Sequence, residues 1–338
     1  MPHETITLTI DAASHGMRMD RLLRKLLPFI PLAHVHQLLR TGKATSPDQP
    51  GKKLTASDRL DPGTRVAISL AKADAMKYRE KSAAPVAAAK APKKTTPRLR
   101  VVYEDDHFLA FDKPSGIAAH PGSGHELSDT VLGALLERVK TSSRIFKPAL
   151  VGRLDRDTSG LQLAGKTPEG VRGLEALSRS RWIHKMYWAL ARGPELPNQG
   201  MINAPLLDGR QGGKRMKVTD GESDPHEDTA VPAVTRYRVI GRGMGGACLV
   251  EVRPETGRMH QIRAHFASVK APLAGDVRYG IPAWNRELQV RGGLRRLFLH
   301  CGLVSFRHPV SGKTMEISSP LPEPLRLVLT RLTIDAPE

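Results

Sequence analysis

Residues 151–166 read Val-Gly-Arg-Leu-Asp-Arg-Asp-Thr-Ser-Gly-Leu-Gln-Leu-Ala-Gly-Lys. Between Gly152 and Gly160 the chain crowds two carboxylates (Asp155, Asp157), two guanidinium groups (Arg153, Arg156) and two hydroxyls (Thr158, Ser159). Leu161 and Leu163 then alternate with Gln162 and lead to the small Ala164. That alternation predicts a strand, and the polar run before it a loop delivered onto that strand. Loops carried by a rigid scaffold are frequent sites of catalysis. The residues by themselves leave four readings open. The carboxylates could simply cap turns, with the arginines on the surface. Asp157-Thr158-Ser159-Gly160 suggests an aspartic protease loop, but serine interrupts the Asp-Thr-Gly pattern and no second copy exists to share a proton. A metal site is disfavoured because nearby arginines already counter both carboxylates. In the fourth reading one aspartate acts alone on an RNA base.

Composition bears on that choice. The 338 residues carry 52 Lys+Arg against 34 Asp+Glu, a net charge of +18. Such a field attracts polyanions and exceeds what solubility needs. Nucleic acid is the expected partner. No apolar run is long enough to span a membrane, and residues 1–8 show no secretory pattern. The two cysteines, Cys248 and Cys301, lie far apart. Neither zinc nor a disulfide framework is expected, and a cytoplasmic location fits.

Working toward the N-terminus, residues 71–97 are rich in alanine, lysine and proline and poor in large apolar residues. They predict a flexible basic linker. Before it, residues 5–10 alternate as a strand. Leu22, Leu23, Leu26, Leu27 and Ile30 give one helix an apolar face, with Arg18, Arg21, Arg24 and Lys25 opposite. A second helix spans about 32–40 and stops at Thr41-Gly42-Lys43. Short strands follow over 52–70. Residues 1–70 therefore form a small α/β domain whose basic helices face either solvent or a phosphate backbone.

Residues 98–335 predict a large α+β domain with a mixed, mostly antiparallel sheet. Strands are expected at 99–103, 108–113, 182–191, 234–240, 247–253 and 298–306. Ser128 is expected to cap a helix, and Thr167-Pro168 to begin another. Residues 198–232 read as an insertion or lid with hairpins. The glycine-rich loop 120–124 lacks phosphate-loop spacing, so no nucleotide cofactor is expected.

Five blocks in this domain occur in a telling order: Asp112-Lys113-Pro114-Ser115-Gly116 with His120-Pro121; Gly152-Arg153-Leu154-Asp155 with Thr158-Ser159-Gly160-Leu161; Lys185, Tyr187, Ala189 and Leu190; Thr256-Gly257-Arg258 with His260-Gln261-Ile262-Arg263 and His265; and Pro272-Leu273 with Gly275-Asp276 and Tyr279-Gly280. Together they resemble the RluA-type RNA pseudouridine synthases. The RluC-like subgroup, which acts on large-subunit ribosomal RNA, is the nearest in pattern. Arg18, Asp20, Arg21, Leu22, Leu39, Gly42, Gly63 and Val66 resemble an αL-type RNA-binding module. The resemblance implies the pseudouridine synthase fold and isomerisation of uridine without a metal or other cofactor. It implies that Asp155 is the essential aspartate, Arg153 holds the target nucleotide out of its helix, Tyr187 packs on the base, and Arg263 pairs with Asp155. Gly152 departs from the histidine usual in this branch and matches the RsuA-type branch instead. A tRNA-directed synthase and a noncatalytic rRNA assembly factor are the alternatives. A monomer is the default expectation.

Overall fold

The computed structural model describes residues 3–10, 14, 16–27, 30–71, 74, 96–122, 124–140, 146–207, 217–218 and 230–337. The expected linker at 71–97 falls almost wholly outside the described residues, as does most of 208–229. The chain divides into two compact units, residues 1–95 with 140–147, and residues 96–139 with 148–338.

In the first unit β1 (His3–Thr9), α1 (Met19–Leu26), α2 (Leu32–Arg40), β2 (Ala44–Thr45) and β3 (Arg65–Ala71) follow in order. The sheet order is β1-β3-β2, all antiparallel. Alternation along β3 buries Val66, Ile68 and Leu70. They share a core with Leu22 and Leu23 of α1 and with Val35, Leu38 and Leu39 of α2. Arg21, Arg24, Lys25 and Arg40 remain exposed, as the helical spacing requires.

The second unit is built on one large sheet. Its elements are β4 (Arg100–Glu104), β5 (Phe108–Lys113), α3 (Val131–Arg138), β6 (Ala149–Val151), β7 (Ser159–Gly165), α4 (Pro168–Arg179), β8 (His184–Arg192), β9 (Gln199–Asn203), β10 (Leu206–Leu207), β11 (Lys217–Val218), β12 (Val234–Arg242), β13 (Ala247–Pro254), α5 (Gln261–Ser268), α6 (Pro282–Glu287), β14 (Leu299–Arg307), β15 (Thr314–Ser318) and α7 (Glu323–Arg331). The sheet order is β4-β5-β7-β14-β8-β13-β12-β9, with β15 on β14 and β6 on β7. Only β7 and β14 pair in parallel, so the sheet is mixed and mostly antiparallel. Every residue of β7 is buried, which marks it as a central strand.

Three local expectations are corrected. The cap of α3 is Thr130, whose hydroxyl accepts from the Gly133 N–H; Ser128 lies one turn too early, in a 3-10 turn over Leu127–Asp129. The strand expected from Trp182 begins at His184, because the chain is still leaving α4 at Trp182. Within the expected insertion, Gln199–Asn203 is an edge strand of the main sheet, held by β12.

Candidate active site

Asp155 sits on the loop between β6 and β7, and buried polar groups fix that loop from below. Gln162, fully buried in β7, accepts from the Leu154 N–H at 3.0 Å and donates to the carbonyls of Val151 and Gly152. Lys113, at the end of β5, is also fully buried. Its ammonium donates to the carbonyls of Pro114, Ile117 and Arg156 at 2.9–3.0 Å. Burial, reinforced by Arg296, brings its pKa down to about 7, against the pull of Asp155 and Asp157. Three carbonyls match the three N–H donors of an ammonium. Ser115 donates to the Asp157 carbonyl at 2.7 Å. Gly160 has φ +107°, and a Cβ there would stand 2.2 Å from the Cys301 carbonyl oxygen. Glycine at this point is what lets β14 pair beside the loop.

A directed chain of hydrogen bonds runs behind the loop. Arg296 donates to the Ser159 hydroxyl at 2.7 Å, and that oxygen lies 2.8 Å from His300 Nδ1. His300 Nε2 faces the Ser319 carbonyl at 3.1 Å. Arginine can only donate and a carbonyl can only accept. The chain is therefore satisfied with Ser159 donating to a neutral His300 that carries its proton on Nε2. Burial lowers the His300 pKa to about 4, which keeps the ring neutral.

The Asp155 carboxylate faces α5. Arg263 reaches its Oδ2 at 3.3 Å with one Nη, and binds Asp276 more closely through Nε (2.7 Å) and the other Nη (2.9 Å). The Arg263 side chain is 5% exposed and that of Asp276 is fully buried. Burial alone would raise the Asp276 pKa. The Arg263 guanidinium and the N–H groups of Tyr279 and Arg278 overcome it and hold the carboxyl below its ordinary range. Arg263 also lies over the Tyr279 ring, 5.3 Å from its centroid. His260, in left-handed backbone at φ +51°, places Nε2 3.8 Å from Asp155 and Nδ1 3.2 Å from the Tyr279 hydroxyl. Burial lowers its pKa, with Arg263 and Arg278 adding to the effect and Asp155 opposing it.

Asp155, His260 and Arg263 line a cavity of about 800 Å³ that also brings in Arg153 and Tyr187. Tyr187 is largely covered. Burial, then Cys301 and Asp155, raise its hydroxyl pKa well above the ordinary value. Arg153 is exposed, and Arg181, Lys185 and Arg258 also face the cavity. Among the described residues Arg153, Arg181 and Lys185 form no ion pair. At Gly152 φ is +64°, and a Cβ there would stand 3.6 Å from Lys185 Nζ, in ordinary contact with that ammonium. Asp157 is not among the cavity-lining residues and pairs with Arg156 at 3.0 Å.

Sequence reasoning did not assign roles to Asp276, Gln162 or Leu299. Asp276 stood within a recognised block, and its burial partner was not readable from spacing. Leu299, the first residue of β14, lines the cavity.

A family model described as RNA pseudouridylate synthase matches residues 107–268. The chain is 36% identical to ribosomal large subunit pseudouridine synthase C of Escherichia coli K12, over 97% of this chain and 96% of that protein. It is 34% identical to the protein of the same name from Vibrio cholerae, over 96% of each. Two human solved structures share its fold over part of the chain. RNA pseudouridylate synthase domain containing 4 has a TM-score of 0.58 at 23% identity, covering 70% of this chain and 94% of that one. RNA pseudouridylate synthase domain containing 1 has a TM-score of 0.54 at 20% identity, covering 72% and 99%.

Proposed function

The chain belongs to the RNA pseudouridylate synthase family, and from that premise we propose that it converts specific uridines of large-subunit ribosomal RNA to pseudouridine, with Asp155 as the essential carboxylate. The observation that carries this reading is Asp155 itself. It lies in a cavity large enough for a nucleotide, is held by a buried Arg263, stands near Tyr187, and is ringed by cations without ionic partners among the described residues.

The reaction breaks the N1–C1′ bond of uridine and forms C5–C1′. The proton on C5 leaves and N1 takes one up. Atoms and electrons balance within the substrate, so the chemistry calls for no redox cofactor or nucleotide. The target nucleotide leaves the stack to enter the cavity. There an ionised carboxylate serves as nucleophile toward the base or the sugar, or as base toward the sugar. Arg263 fixes the direction of the Asp155 carboxylate through its hydrogen bond to Oδ2. Tyr187 closes one wall against the base. Arg153 contacts the displaced nucleotide's backbone. Residues 1–70 add phosphate contacts through the exposed face of α1 and α2, and residues 98–335 carry out the chemistry. The protein acts in the cytoplasm as a monomer.

The test is to map pseudouridines in ribosomal and transfer RNA from cells with and without the gene for this chain. Loss of sites confined to large-subunit rRNA is expected. Loss confined to tRNA reassigns the substrate, and an unchanged map overturns the catalytic reading.

A further inference from the structure

The corner between α4 and β8 carries a feature that the chemistry of the cavity does not use. The Arg181 N–H donates to the Ser178 carbonyl and the Trp182 N–H to the Leu177 carbonyl, at 3.2 and 2.8 Å. These crossed bonds make a Schellman helix end, in which the first residue past the cap adopts left-handed backbone and is usually glycine. Here it is Arg181, at φ +61°. The next position commonly holds an apolar residue that packs back on the helix, and such packing would cover it. Trp182 instead remains 60% exposed, while Trp188 and Trp284 are 7% and 3% exposed. Among the described residues it is the one exposed tryptophan, tyrosine or phenylalanine.

Its chain neighbours border the cavity. Ser178, Arg181, Ile183, His184 and Lys185 all line the cavity that contains Asp155. The corner that carries the indole therefore borders the cavity, while the indole itself is solvent-facing and its backbone is fixed by hydrogen bonds. Two cations flank it, and neither forms an ion pair with a described residue.

We infer that Trp182 is a stacking platform for an unpaired nucleobase adjacent to the flipped target, with Arg181 and Lys185 contacting the phosphates on either side. A flat π face beside cations matches the two chemical parts of a single-stranded nucleotide, base and phosphate. An apolar protein partner would favour a neutral surround, whereas this rim is cationic. The inference rests on the reading of the cavity as the place where RNA is held.

Tryptophan fluorescence of the full-length protein tests it, because Trp188 and Trp284 are buried and Trp182 dominates the solvent-facing emission. The probes are a single-stranded oligouridylate and an abasic ribose-phosphate oligomer of equal length. Oligouridylate is expected to quench and blue-shift the emission, and the abasic oligomer to bind without doing so. Trp182→Ala is expected to weaken oligouridylate binding about five- to a hundred-fold while leaving abasic binding unchanged, and Trp182→Phe to recover most of that loss. Equal oligouridylate affinity for wild type and Trp182→Ala, in a wild type that forms pseudouridine in rRNA, overturns this inference alone. A wild type that neither binds oligouridylate nor forms pseudouridine overturns the functional reading beneath it.

Discussion

At the floor of the cavity Arg263 is almost wholly buried and engages two carboxylates, Asp276 at 2.7 Å and Asp155 at 3.3 Å. At the rim Arg153 is exposed and has no ionic partner among the described residues. Both are arginines of one site, yet their surroundings are opposite. Removing a charge from water costs several kcal/mol unless a partner and hydrogen bonds replace the solvent. The floor charges must therefore be paired within the protein before RNA arrives. The rim charges stay hydrated, cost little to leave unpaired, and can exchange water and counterions for phosphates. On the proposed function, the contrast separates groups that orient the chemistry from groups that gather the substrate.

The most severe test of the contrast is Asp155→Asn. Product formation should fall by about 10⁴-fold or more while RNA affinity stays within about two-fold, measured by single-turnover assay and filter binding. Residual activity near wild type would remove Asp155 from the chemistry. Asp276→Asn comes next. It strips the buried guanidinium of its closest anion, so unfolding stability should drop by about 3–5 kcal/mol in a denaturant titration, with kcat lowered and KM little changed. A variant as stable as wild type would mean that the floor is not preassembled.

His300 sharpens the same point through pH. Its folded pKa of about 4 lies below the ordinary 6.5. Between those values the unfolded chain binds a proton that the native ring refuses. Its contribution to stability is thus fully present above about pH 6.5 and is lost as pH falls toward 4. Denaturant midpoints should fall across that window, and His300→Gln should flatten the slope.

Rim substitutions should behave differently. Arg153→Ala with Lys185→Ala should leave folding stability within about 0.5 kcal/mol. The same pair should weaken RNA binding and reduce the slope of log affinity against log salt by about two. An unchanged slope would show that these cations do not meet phosphates. The smallest effect is expected for Tyr187→Phe. The ring that closes the wall is retained, so activity should stay within about ten-fold; a loss equal to that of Asp155→Asn would assign the hydroxyl a chemical task.

Much of the fold could be read from local pattern. Alternation around Leu161 and Leu163 marked the central strand, and the Thr167-Pro168 start of α4 was visible because cap chemistry is local. Errors arose where a local signal competed with tertiary context. Ser128 and Thr130 are both good caps, and only the 3-10 turn decides between them. Trp182 has strand propensity, but the Schellman corner claims it. The edge strand Gln199–Asn203 lacks a strong apolar run and owes its pairing to β12.

The sequence by itself determined the mixed α+β architecture through local pattern and the family through five ordered blocks, and the resemblance carried by those blocks implied the candidate set Arg153, Asp155, Tyr187 and Arg263. Tertiary structure alone decided how those residues are held. Asp276 meets Arg263 through a loop thirteen residues away, Lys113 anchors the Arg156 carbonyl from another strand, and Ser159 meets His300 across 141 residues. Burial and hydrogen-bond direction belong to the folded environment rather than to any one segment. It is they that separate an arginine locked into the floor from one left free at the rim.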